Sequence, residues 1–312
     1  SNNETVLKAV IGCELNICKD HTNKNLKDDG FQVPFLCKNK LGFHNLAKLS
    51  SEANTNGFYY LPRIDRDLIL KYRQGLIALT GSIYGLIPNL ILNVGEKQAE
   101  EEFQWWVKEF GEDFYVEINR HNLEEENYVN KILIEFATKY NVKVIASNNV
   151  YYLNQEDSNA HDILLCVKDG QQQSTPIGKG RGYRYGFPND QFYFKSSDQM
   201  RKMFVDLPQA IDNLTDLISK IESFTLERDV LLPNFDIPNE FLNLDDKSDN
   251  GTRGENSYLK YLTYEGASKR YVEITDEIKE RIDFELNVIE NSGYPGYFLI
   301  VQDFIKKARE MD

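Results

Sequence analysis

The order in which short apolar runs and helical patterns follow one another constrains this chain more than any other feature. Runs rich in Val, Ile and Phe fall at residues 6–17, 32–37, 76–80, 114–118 and 142–147, each of a length that suits a buried strand. Between and after them apolar residues recur at helical spacing over 41–53, 65–72, 83–92, 96–110, 124–140 and 157–167. Alternation carried this far predicts parallel strands joined by crossovers, hence an open α/β sheet or a barrel of repeated β-α units. No internal repeat of 20 to 50 residues competes with that reading.

The pattern stops after Val167. Residues 168–190 hold almost no apolar period, and an excursion of that length in a compact domain is functional or mobile. Residues 191–194 return to a strand pattern, and 197–204 and 208–221 read as helices, the second opening at Asp206-Leu207-Pro208. The stretch 231–238, with Pro233 and Pro238, breaks regular structure, and a polar run over 244–255 follows. A boundary there divides residues 1–226 from residues 227–312. The second part is helical: Ile282, Phe284, Leu286, Val288 and Ile289 form one apolar face, Gly293 and Pro295 end that helix, and Phe298, Ile300, Val301, Phe304 and Ile305 begin another.

Composition excludes several classes. With 312 residues, 41% of them apolar, the chain can bury at least one large core. A net charge of -13 argues against a broad grip on nucleic acid, since neutralisation of phosphates by Lys and Arg supplies most non-specific affinity. Any such contact must be local, and the loop 178–187 is the candidate: Lys179, Arg181 and Arg184 alternate with glycines and with Tyr183 and Tyr185. No apolar run reaches 18 residues and the first residues lack the features of a signal peptide, so a soluble, cytoplasmic chain is expected. Cys13, Cys18, Cys37 and Cys166 show no metal-type spacing and read as reduced, mostly buried thiols. Among the histidines, His21 and His44 lack a supporting cluster, His121 reads as a structural residue, and His161 is placed by Leu164 and Leu165 on a face that packs inward. Asp162 and Asp169 read as solvated or capping residues.

A series of phrases in fixed order carries a resemblance. Ile11-Gly12-Cys13-Glu14 ends the first strand, Lys38-Asn39-Lys40-Leu41-Gly42-Phe43-His44 follows the second, and Pro62-Arg63-Ile64-Asp65 precedes a helix. Glu117-Ile118-Asn119-Arg120-His121, Asn148-Asn149-Val150-Tyr151-Tyr152, Ala160-His161-Asp162-Ile163-Leu164-Leu165-Cys166 and Phe192-Tyr193-Phe194-Lys195-Ser196 continue it. In this order they resemble the polymerase-and-histidinol-phosphatase (PHP) domain of the bacterial replicative DNA polymerase III alpha subunits. The wording Gly293-Tyr294-Pro295-Gly296-Tyr297-Phe298 resembles the entrance to the palm of the same family.

The resemblance implies a fold: an incomplete, distorted seven-fold β/α barrel followed by a mainly helical segment. It also implies a metal cluster at the strand ends of the better-equipped members, where His, Asp and Glu acidify a bound water and polarise a phosphate ester. Of those ligand positions, Glu14 keeps its carboxylate. Gln32 stands in a histidine place, Ser82 where some members have cysteine, and Asn149 and Tyr151 in the Asp and His places of the family's last phrase. Asn for Asp removes a full charge and Tyr for His removes the imidazole, so a multi-metal site is expected to be degraded, with Glu14 its vestige. The family's paired histidines are expected upstream of Val6, with Ser1-Asn2 a cloning remnant.

The function implied is that of an N-terminal portion of the replicative polymerase, its parent extending primers with deoxynucleoside triphosphates and Mg ions held by palm carboxylates beyond Asp312. The portion itself is expected to have no catalytic residues and no cofactor, and to act as a structural or docking module for replisome subunits such as the proofreading exonuclease. The alternative is a residual metal-dependent phosphoesterase or 3'-5' exonuclease. Open strand edges beside residues 6–17 are expected to drive self-association.

Overall fold

A computed structural model describes residues 8–178, 180–227, 235–242 and 254–311. The chain divides into two compact units, one ending at Thr225 and the other starting at Leu226. The first unit runs β1 (Gly12–Ile17), β2 (Phe31–Cys37), α1 (Lys40–Thr55), β3 (Arg63–Ile64), α2 (Arg66–Tyr72), β4 (Leu76–Leu79), α3 (Leu86–Asn93), α4 (Glu96–Phe110), β5 (Phe114–Ile118), α5 (Glu124–Tyr140) and β6 (Lys143–Ala146). It ends with α6 (Ser158–Asp169), α7 (Ser197–Met203) and α8 (Gln209–Ser219). The six strands form one sheet in the order β3-β1-β2-β4-β5-β6.

Local chemistry fixes the element ends. Asn39 Oδ1 accepts from the Gly42 N–H at 3.0 Å and opens α1. Gly42 is required because a Cβ there would lie 1.9 Å from the Gly75 carbonyl oxygen. Asp65 caps α2, and Ser196 with Gln199 forms a capping box on α7. Val33, Phe35, Val116, Ile118 and Val144 then face the helices α1 to α5, where Trp106 stacks on Phe110 (5.4 Å) and Phe114 (6.0 Å). Truncation of such a buried ring costs about 3–5 kcal/mol, so this packed layer sets the sheet, and on the opposite face Ile77, Leu79, Tyr115 and Ile145 pack against Leu217 and Ile221.

Strand direction differs from the expectation of parallel pairing. β4, β5 and β6 are parallel, as is β1 with β3, but β2 runs antiparallel to both β1 and β4. The loop from β1 to β2 holds no helix, so the chain returns directly, as antiparallel neighbours can. The strand pattern at 191–194 yields a single bridge, Tyr152 to Tyr193. The open edge foreseen beside the first strand is present along most of β1, because β3 pairs only with Asn16 and Ile17. At the other edge, Asn213 Nδ2 of α8 donates to the Val144 carbonyl at 2.8 Å and covers β6.

The second unit contains, among its described residues, α9 (Glu255–Arg270), α10 (Asp276–Asn291) and α11 (Pro295–Glu310). Thr275 caps α10 and Pro295 opens α11 at a position where its missing N–H costs nothing. The apolar face foreseen on α10 is present but not packed away: no α10 residue is buried, and Phe284 is 60% exposed. Residues 228–234 and 243–253, which hold most of the predicted boundary, lie outside the described residues.

Candidate functional site

The face of the sheet turned away from α1 to α5 gathers the residues singled out above. Along β1, Leu15 and Ile17 enter the packed layer, so strand alternation turns Glu14 and Asn16 to the other face. The register sets Glu14 opposite Pro34 and Asn16 opposite Gln32, which puts Gln32 on that same face one residue pair away. Ser82 arrives by a tight turn. Gly81 takes φ +77°, the Gly85 N–H donates to the Ser82 carbonyl at 2.7 Å, and Gly85 bridges to Gln32.

Asn149 and Tyr151 follow β6 in an extended segment held by Tyr151 N–H to Phe192 O (2.9 Å) and Phe194 N–H to Tyr152 O (3.0 Å). Asn149 is half-buried and Tyr151 is 51% exposed. Burial pushes the Tyr151 phenol above its ordinary range, and the charges of Tyr185, Glu14 and Tyr84 add to the shift. Glu14 and Tyr151 therefore share one electrostatic field. Packing against its neighbours also pushes the Glu14 carboxyl up, although the residue as a whole is exposed.

Beneath this rim lies a group that sequence reasoning did not single out as a unit. Glu117 near the end of β5 and Asn119 and His121 in the segment that follows are all buried, and three of their atoms have no hydrogen-bond partner among the described residues: Glu117 Oε2, Asn119 Oδ1 and His121 Nε2. Burial raises the Glu117 carboxyl well beyond what Ser147 and Asn119 offset by hydrogen bonding. His121 fits the structural role expected of it. Its Nδ1 lies 2.7 Å from Glu126 Oε1, and its ring stacks on Phe192 at 4.3 Å. The polar alternation at 117, 119 and 121 was a readable signal, since a strand end with every second residue polar and buried must satisfy those groups somewhere.

A family-type metal cluster does not fit these residues. Gln32 and Asn149 offer neutral amide oxygens, Ser82 a hydroxyl, and Tyr151 a phenol kept protonated by its surroundings, leaving Glu14 the sole carboxylate of the matched set. Among the described residues, the acid and histidine grouping within metal-binding reach lies elsewhere: Asp20, His21 and Asp65. This corrects the view of His21 as isolated. Its chemistry is structural, because Asp65 Oδ1 caps α2 at Leu68 (3.1 Å), Asp65 Oδ2 accepts from the His21 N–H (3.2 Å) and contacts Nδ1, and Asp20 Oδ1 holds Thr22.

The basic loop is organised differently from a phosphate cradle. Arg184 is buried and all five of its N–H donors are spent: on Asp162 (2.6 and 2.9 Å), and on the carbonyls of Thr175, Gln173 and Tyr185. Asp162 is thus a clamp, not a solvated residue, and its carboxyl is held below the usual range by Arg184 first. Arg181 remains exposed, and Lys179 lies outside the described residues. On α6 the expected inward packing is corrected too: Leu164 is 66% and Val167 75% exposed, and His161 turns toward Tyr151, Tyr152 and Phe187. With Asp162→Asn, hydrogen exchange at the Gly178 and Arg184 amides, which pair within the loop, is expected to accelerate about tenfold or more as the clamp weakens. Unchanged exchange would show that the backbone pairs hold the loop alone.

The mixed β/α sheet agrees with a PHP-like class, and residues 2–121 match the PHP domain model. Residues 257–312 match a second model, the bacterial DNA polymerase III alpha NTPase domain. Curated relatives agree across both. The chain is 39% identical to the DNA polymerase III subunit alpha of Borreliella burgdorferi, over 98% of its own length and 26% of the relative. It is 35% identical to that of Treponema pallidum (98% and 25%) and 36% identical to that of Aquifex aeolicus (89% and 23%). The chain belongs to the bacterial DNA polymerase III alpha family, and it spans about a quarter of the length of these relatives.

Proposed function

We propose that the chain is a portion of the catalytic subunit of a bacterial replicative DNA polymerase, in which the first unit is a structural and docking module with a vestigial metal site. Homology over nearly the whole chain supports the polymerase context, with DNA, deoxynucleoside triphosphates, Mg and cytoplasmic replisome subunits as the parent's partners. The observation that carries the vestigial reading is the donor set around Glu14: two amides, a hydroxyl and a protonated phenol cannot hold a pair of divalent ions or acidify a water between them. No helix among the described residues is long and apolar enough to cross a membrane.

Calorimetric titration with manganese tests the metal site. The expected result is no heat, or heat unchanged by Glu14→Gln. Stoichiometric binding lost in that variant would overturn the vestigial reading and favour a residual phosphoesterase or 3'-5' exonuclease. The docking role predicts capture of the cognate proofreading exonuclease by the purified chain; absence of binding at tens of micromolar would leave the first unit a purely structural part.

A further inference from the structure

A cavity of about 240 Å³ opens between the start of α6, the segment after β6 and the folded-back basic loop. Three rings line it together with Ile177: His161 packs on Tyr152 at 5.4 Å and on Phe187 at 5.2 Å, with Phe187 backed by Tyr151 and Phe192 at 4.5 Å each. Its rim is polar and amide-rich, formed by Ser158, Asn159 and Asn189. The volume equals that of about eight liquid water molecules, enough for a one- or two-ring planar molecule. The Arg184 to Asp162 clamp, and Asn189 Nδ2 donating to the His121 carbonyl at 2.6 Å, hold the walls in place, so the cavity is preformed.

We propose that this cavity is a binding site for a nucleobase, held by stacking on Phe187 and His161 and by edge hydrogen bonds to Ser158 and Asn159. Three observations single out this chemistry. Aromatic side chains in the wall offer ring faces that favour a flat π-system over an aliphatic group. The Ser158 hydroxyl and Asn159 Nδ2 in the lining match the edge of a base, as they do not match a benzene ring. Phosphate is not what the site selects, because Arg184 has no donor left and the Asp162 carboxylate lies in the wall. The cavity therefore takes an unstacked base and not a phosphate. This inference stands apart from the polymerase reading, since a free nucleoside suffices to test it.

The test is a fluorescence titration of 2-aminopurine riboside with the whole chain, since stacking quenches this base. Saturable quenching is expected, weakened about tenfold or more by Phe187→Leu, which keeps apolar bulk and loses the ring. Asn159→Ala, at an exposed position in the first turn of α6, provides a second variant that leaves the buried rings in place; it is expected to weaken binding severalfold. No saturable quenching, equal affinity in both variants, or equal displacement by cyclohexanol would overturn the proposal, the last by showing a generic apolar hole.

Discussion

Replacement of Arg63 by methionine is expected to lower the unfolding midpoint of the first unit by about 6–12 °C, the fall that a loss of about 3 kcal/mol produces in a domain of this size. Arg63 is fully buried, yet among the described residues it pairs with no carboxylate. Its Nε donates to Gly57 O at 3.1 Å, one terminal nitrogen to Asp28 O at 2.9 Å, and the other to His21 O and Asn23 O at 3.2 and 3.1 Å. The guanidinium also lies over the Tyr59 ring at 5.5 Å. Four carbonyls from two loops are thereby satisfied by one side chain, and those loops flank the short strand β3. Methionine fills the volume and strands the carbonyls. Arg63→Lys is expected to recover less than half of the loss, because an ammonium cannot present a planar fork to four acceptors. Calorimetry that resolves the two units would make the measurement. A shift under about 2 °C for methionine would mean that the loops rehydrate at no cost and that Arg63 is not their clamp.

This residue also shows what a sequence conceals. Where a pattern is local, it was legible: the helices over 96–110 and 124–140 and the strand over 114–118 lie where periodicity placed them, because their own apolar spacing dictates which face is buried. Strand direction is not local. Nothing in residues 31–37 states that β2 must oppose both neighbours, and a two-residue strand such as β3 has no period to detect. The same limit governs the site. Glu14, Gln32, Ser82, Asn149 and Tyr151 could be named from resemblance, whereas the roles of Arg184 and Asp162 depend on a contact 22 residues apart that composition misrepresents. An exposed-looking basic loop became an internal ion pair because one of its arginines found a carboxylate on the preceding helix. Charge counts say how many cations a loop has, not how many are left over.

The opposite mismatch, an acid where the fold wants a neutral group, yields the second large effect. Glu117→Gln is expected to raise the unfolding midpoint at about pH 8 by a few degrees, and to lose that advantage as the pH is lowered toward the ordinary glutamate range near about 4.3. The sign follows from linkage. Burial raises the folded-state Glu117 carboxyl, with the Glu14 charge adding to the shift, so above the unfolded value the unfolded chain releases a proton that the folded chain retains. Stability therefore falls with rising pH through this group, until the folded carboxyl itself ionises. Glutamine stays neutral throughout and removes that slope. It also brings an N–H₂ group next to Asn119 Oδ1, a buried acceptor with no partner. Thermal scans of both proteins between about pH 4.5 and 8, in chelator so that no ion contributes, would separate the outcomes. A variant less stable than the parent at high pH, or offset from it by the same amount at every pH, would mean that the fold carries the Glu117 charge without the penalty that burial imposes. The buried end of β5 would then be a charged site of its own beneath the rim that carries Glu14.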